Sequence, residues 1–301
     1  MSNNMKKELV LFRQYLQTKK RKRKNNRGYS KNTINTYFQS VIQFFQCCEK
    51  QEMTMIFQED VDEFVAYLRK QDIKAVSINL KLSALHQYLL FLQSTYQKTF
   101  SIELPFGDVQ KQDYLVGIPL EEEISQMLTT TQKENDWRAN ALIYTLAYSG
   151  LRVSELREIR VDHVQQTSFS IIGKGEKERE IFFIMDDVRK SWQKYLEVRP
   201  SSASPFLFIG KRGRLSRKTI FYILKEYARK AGVNESKIYP HNFRHFFGKY
   251  LDQHGYTLTE IKDILGHRSV ETTTIYTRRT KEEMREKLNE LSNLRKINFE
   301  S

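Results

Sequence analysis

The chain has 301 residues, 40% of them hydrophobic, and carries Lys+Arg 50 against Asp+Glu 36, a formal net charge of +14. That length exceeds one typical core and suits two domains, and the positive surplus favours a polyanionic partner, either nucleic acid or an anionic membrane surface. No apolar run approaches the roughly 18 residues of a membrane span and no signal peptide opens the chain, so nucleic acid is preferred and a cytoplasmic location is expected. The only cysteines, Cys47 and Cys48, are adjacent; they cannot staple distant segments and lack zinc-site spacing.

An amphipathic start at Leu9, Phe12 and Leu16 gives way to an unbroken basic run, Lys19, Lys20, Arg21, Lys22, Arg23 and Lys24. Six like charges in a row mark a solvated segment, readable as a plain flexible loop or as an arm that contacts phosphates. Ser30 is placed to cap a helix with Ile34, Tyr37, Val41, Phe44 and Phe45 at helical spacing. Asp60 with Glu63 reads as a capping box leading into Phe64, Val65 and Leu68, and a third helix is expected from about Ala75 to Tyr96. Residues 1–102 therefore read as a small helical bundle. Periodicity lapses and Pro105, Gly107 and Gly117 punctuate, so residues 103–117 read as a linker.

A second domain is expected over 118–301. Pro119 and Glu121, Glu122 and Glu123 suit a helix start. In the stretch from Ala139 to Arg157, Leu142, Ile143, Leu146 and Ala147 form a buried stripe that Gly150 ends, and Arg152 leads into a short helix with Glu155. Residues 168–184 read as a β-hairpin over a turn containing Lys174, Lys177 and Arg179. Gly173-Lys174-Gly175 lacks the spacing of a nucleotide-binding loop. Arg212, Arg214, Arg217 and Lys218 precede or open a helix from Ser216 to Ala231. Basic residues there oppose the helix dipole, so they read as DNA contacts or as a solubilising surface.

Pro240 suits the first turn of the next helix, which puts His241, Arg244 and His245 on one face, with His241 and Arg244 able to reach one anion together. Gly255 stops that helix. Thr257 and Glu260 make a capping box for another, running to Gly266, after which His267 sits on the turn. Ser269 caps a last short element and Tyr276 lies near its end, read as mobile enough to approach a site built by the others. Thr280 and Glu283 open one more helix, about 280–295, with Met284, Leu288, Leu291 and Leu294 on one stripe that docks on its own domain or on a neighbour.

The order H-x-x-R-H, then L-G-H-x-x-x-x-T-T-x-x-Y, matched by His241, Arg244, His245, Leu265, Gly266, His267, Thr272, Thr273 and Tyr276, resembles the tyrosine recombinase (phage integrase) family. The segment Gly150 to Leu156 with Arg152, Ser154 and Glu155 matches that family's first arginine motif. Asn242-Phe243 and Phe247-Gly248 depart from its usual residues, the latter standing where Phe-Ala is common. The resemblance implies a mainly α fold with a small β-hairpin or sheet: a helical N-terminal core-binding, SAM-like domain and a mixed α/β catalytic domain of the tyrosine recombinase type.

It implies a site-specific DNA recombinase in which Tyr276 attacks phosphorus to give a 3′-phosphotyrosine. Arg152, Arg244 and His267 hold the transition state, and His241 takes the phenol proton. Lys174 protonates the leaving 5′ oxygen, with Lys177 its competitor, while Glu155 and His245 support the ligands. Neither metal nor ATP nor another cofactor is expected. The implied partners are double-stranded DNA and three further copies, a homotetramer that exchanges strands through a Holliday junction and donates its C-terminal helix from copy to copy. Two other readings remain, a type IB topoisomerase rejoining the same strand and a catalytically silent DNA-binding protein of this fold.

Overall fold

The computed structural model describes residues 3–19, 28–49, 54–108, 117–172, 178–181, 185–211, 213–267, 269–276, 284–285 and 288–289. The chain divides into two compact units, residues 1–112 and 113–301. The protein is mainly helical, with two small antiparallel sheets in the second unit.

The first unit holds α1 (Asn3–Thr18), α2 (Lys31–Cys47), α3 (Gln58–Lys70) and α4 (Ala75–Tyr96). Ser30 Oγ accepts from the Thr33 amide at 3.1 Å, closing the first turn of α2 as its spacing predicts. Helix α3 starts three residues earlier than Asp60 would place it as a cap. Asp60 instead sits inside the first turn and its Oδ2 accepts from the Phe57 amide at 2.7 Å, because a carboxylate reaches back to the open N–H groups more readily than it caps forward here. The core is aromatic: Phe12 meets Tyr88 edge-on at 5.0 Å and Phe44 meets Phe64 at 5.3 Å. Residues 103 and 107 are hydrogen-bonded into this unit, Glu103 through Gln58 and Gly107 through Asn79. Cys47 and Cys48 form no disulfide.

The second unit is built on α6 (Trp137–Tyr148), most of whose residues are buried, packed between α5 (Glu121–Lys133) and later helices. Asp136 caps it, accepting from the Ala139 amide at 2.9 Å. A short α7 (Val153–Leu156) leads to β1 (Phe169–Ile172) and β2 (Glu178–Ile181), antiparallel with Phe169 opposite Ile181 and Ile172 opposite Glu178. Helix α8 (Asp186–Val198) buries Trp192, whose indole N–H donates to Thr145 Oγ1 at 2.7 Å. A second hairpin, β3 (Ile209–Gly210) with β4 (Gly213–Arg214), goes unpredicted because two residues per strand show no alternation. Then follow α9 (Arg217–Lys230), α10 (Pro240–Gln253) and α11 (Leu258–Leu265). The expected helix at 280–295 lies largely outside the described residues. No described helix is long and apolar enough to cross a membrane.

Candidate active site

Four segments of the second unit converge: the turn after α6, the first half of α10, the end of α11, and the 3-10 turn Val270–Thr272 with the residues after it. Gly150 makes the first junction. Its φ is +60°, and a Cβ there would meet Leu265 Cδ2 at 2.5 Å and Phe247 Cδ1 at 2.8 Å. Glycine is thus required twice, for the left-handed turn and for the close approach of α10 and α11.

Arg152 follows as the residue that opens α7. The buried Glu155, 1% exposed, accepts both its amide N–H at 2.8 Å and its guanidinium at 2.8 Å. One carboxylate thus closes the helix start and aims the arginine.

Arg244 is buried to 2% exposure. Its guanidinium donates to the carbonyl of Gly150 and, at 2.5 Å, to that of Leu265, one of the last carbonyls of α11. The planar fork therefore ties α10 to two chain ends at once, and the burial of its charge is offset by these bonds. Asn242, one of the departures from the family pattern, holds the backbone together: its amide donates to the Gly117 and Lys237 carbonyls at 2.8 and 2.9 Å, pinning the start of α10.

The rings of His241 and His245 meet edge-on at 4.3 Å, and His245 lies 5.7 Å from the ring of Tyr276. Burial first, then His241 and Arg244, holds His245 down at about 4, so it is neutral near pH 7. His241 is solvent-exposed on one side, yet desolvation on its packed side, followed by Arg244 and Arg152, lowers its pKa as well. A neutral imidazole can accept a proton.

Gly266, with φ +64°, ends α11, and the amides of Gly266 and His267 return to the carbonyls of Asp263 at 3.0 Å and Lys262 at 2.9 Å. That pair of bonds fixes the backbone of His267, whose Nδ1 lies 2.9 Å from Thr273 Oγ1. The rings of His267 and Tyr276 are near-parallel at 6.0 Å. Tyr276 is 2% exposed and sits in a small cluster with Phe247, Leu251, Ile261 and Leu265. Burial raises its pKa, and the opposing pull of Arg244 and Arg152 reaches it.

Arg152, Glu155, His241, Arg244, His245, His267 and Tyr276 are therefore gathered into one region. Lys174 and Lys177 lie outside the described residues, as do Lys20, Arg21, Lys22, Arg23, Lys24 and Arg212. Arg179 stands on β2 opposite Ile171. Lys19 turns back on its own helix, donating to Tyr15 Oη at 2.5 Å. Arg214 forms an ion pair with Glu158 and lies over the Phe206 ring at 5.1 Å, while Arg217 and Lys218 are exposed on the first turn of α9. Sequence reasoning gave no role to Thr273 or Gly248. The T-T pair of the motif and the missing alanine were the available signals for each.

The phage integrase family matches residues 120–283, and the phage integrase N-terminal SAM-like domain matches residues 9–95. The chain is similar to the tyrosine recombinase XerC of Leptospira interrogans, 34% identical over 275 residues, covering 87% of this chain and 88% of that protein. It is also similar to the tyrosine recombinase XerD of Rickettsia conorii, 33% identical, covering 83% and 89%. In fold it is similar to the XerH site-specific recombinase bound to palindromic difH substrate, with TM-score 0.70 at 21% identity over 85% of this chain and 78% of that one. A lambda integrase dimer bound to a COC′ core site gives TM-score 0.68 at 13% identity, covering 90% and 94%.

Proposed function

We propose that this chain, which belongs to the phage integrase family and is a tyrosine site-specific recombinase, cuts and rejoins double-stranded DNA through a 3′-phosphotyrosine. What supports the reading above all is that the ring of Tyr276 lies 5.7 Å from His245, whose ring meets that of His241 at 4.3 Å, and 6.0 Å from His267, with Arg244 held on the carbonyl of Leu265 beside them and Arg152 held by Glu155.

The chemistry follows from the groups. Tyr276 Oη attacks the scissile phosphorus, its proton passes to His241, and the bond from phosphorus to the 5′ oxygen breaks. Lys174, or Lys177 beside it, donates the proton that makes the 5′-hydroxyl. The charge on the nonbridging oxygens is met by Arg152, already aimed by Glu155, by Arg244, and by His267. His245 packs against His241 and supports it. A phenol with a raised pKa stays protonated until the base takes its proton during attack. At 2% exposure Tyr276 cannot meet a phosphate where it now rests, so the ring leaves its apolar seat for the reaction.

The phosphotyrosine conserves the energy of the broken bond, so attack by a 5′-hydroxyl from a second strand yields exchange without ATP. Four protomers on two sites would exchange strands pairwise through a Holliday junction and trade their C-terminal helices. The 1–102 region and the 118–301 region would each contact the DNA. The phosphate contacts would come from the basic run 19–24, from Arg179, and from Arg212, Arg214, Arg217 and Lys218.

The test is covalent trapping. Wild type and Tyr276→Phe are incubated with a supercoiled plasmid library of genomic fragments, in EDTA and without ATP, then denatured, and DNA linked to protein is sequenced. A 3′ adduct with wild type and none with Tyr276→Phe is expected. An adduct that persists in Tyr276→Phe would remove the tyrosine from its role. Relaxation of the plasmid with the same strand rejoined and no exchange between sites would favour the topoisomerase reading.

A further inference from the structure

Thr273 is 0% exposed, and its Oγ1 stands 2.9 Å from Nδ1 of His267. Its carbonyl accepts the amide N–H of Tyr276 at 3.0 Å, and its own amide donates to the Val270 carbonyl at 2.8 Å. One residue thus links the side chain of His267 to the backbone of Tyr276, within a turn of only a few residues. Because the amide of His267 is already bonded to Lys262, the ring has little freedom beyond its own side-chain torsions. Thr273 is β-branched and fully enclosed, so its hydroxyl is confined to a restricted χ1.

A neutral imidazole has one donor and one acceptor nitrogen, and the partner of one nitrogen determines the role of the other. Only a protonated Nε2 can donate to a phosphate oxygen, and in the neutral ring that requires Nδ1 to be the acceptor. A threonine hydroxyl supplies the proton for such a bond, whereas a valine of the same shape supplies none. We infer that Thr273 is a positioning residue whose hydroxyl donates to Nδ1 of His267 and holds the ring in the tautomer with its proton on Nε2, directed to a nonbridging phosphate oxygen. The phosphate, and with it the choice of tautomer, rests on the recombinase reading; the contact between Thr273 and His267 rests on the geometry of the protein.

The experiment compares full-length wild type, Thr273→Val and Thr273→Ser. Histidine imidazoles are isotope-labelled and their tautomers read by proton–nitrogen correlation at about pH 8.5, where imidazoles are neutral. His267→Gln assigns the signal. Wild type and Thr273→Ser should show the proton on Nε2, and Thr273→Val a mixture of both tautomers. A proton on Nδ1 in wild type, or an unchanged tautomer in Thr273→Val, overturns the inference.

On the DNA site recovered by trapping, Thr273→Val should slow adduct formation roughly 10-fold to 100-fold, by analogy with the loss when the partner that orients a metal-bound imidazole is removed. Thr273→Ser should keep most of the rate. A packing role predicts the opposite order, because valine fills the threonine volume and serine leaves a methyl-sized gap. Thr273→Val as fast as or faster than Thr273→Ser therefore also overturns it. If wild type forms no adduct at all, the recombinase reading fails, while the spectra still decide the contact.

Discussion

Gly248 lies directly beneath the ring of Tyr276: a Cβ at position 248 would come within 2.7 Å of Cε1, Cε2 and Cζ of the phenol. Helix α10 thus lacks a side chain at the point where it comes nearest the hydroxyl end of the tyrosine ring. The missing methyl group makes the apolar seat in which Tyr276 is buried.

Gly248→Ala should therefore destabilise the protein by about 1–3 kcal/mol through overpacking. In a Tyr276→Ala background the same change should be neutral or stabilising by up to about 1 kcal/mol, since alanine favours a helix interior over glycine. Urea unfolding of the four proteins measures the coupling. Equal effects in both backgrounds would disconnect the two residues.

Arg244→Lys should fail to reproduce the arginine. A single ammonium cannot present the planar fork that spans the Gly150 and Leu265 carbonyls, so at least one buried acceptor loses its partner, at a cost of about 1–3 kcal/mol. The unfolding midpoint should fall and covalent adduct should disappear. A variant of unchanged stability would show that the two carbonyls are satisfied in another way.

Glu155→Ala removes the acceptor for both the amide and the guanidinium of Arg152. Stability should fall by about 1–2 kcal/mol, the scale of a lost helix cap, and adduct formation should slow as the arginine loses its aim. Glu155→Gln keeps a carbonyl oxygen for the amide but no charge for the guanidinium. It should retain most of the stability and less of the rate, which thermal unfolding and trapping would separate.

His245 makes stability depend on pH. Its folded pKa is depressed to about 4 while the unfolded chain titrates at the ordinary 6.5, so its contribution is full above 6.5 and is lost as pH falls toward 4. Between about pH 8 and pH 5 wild type should lose about 2 kcal/mol more than His245→Gln. Denaturant midpoints across that range test it, and parallel losses in the two proteins would exclude a buried neutral His245.

Much of this arrangement was legible in the order of residues. Caps and stops are local: Ser30, Thr257 with Glu260, Gly255 and Gly266 act on amides and carbonyls within a few residues, so their spacing suffices to place α2, α10 and α11. The residue types of the candidate site were legible as well, because the proposed phosphoryl chemistry needs cations, a base and a nucleophile, and the motifs hold such groups at fixed spacing. Where local competition exists, spacing misleads: Asp60 lies among several acids and its carboxylate turned back to Phe57, shifting the start of α3.

Long-range packing carried the rest. That Arg244 spends part of its fork on the carbonyls of Gly150 and Leu265, 94 and 21 residues away in sequence, follows from where three helices meet and from no periodicity. Tyr276, read from the sequence only as able to approach the site, rests as an enclosed ring, because Gly248 leaves a space that only the folded α10 presents to it. Residue identities encode which groups can react. Burial, distance and the loss of water around them fix the protonation of His245, the bearing of Arg152, and the resting place of Tyr276, and those are properties of neighbours brought together by folding.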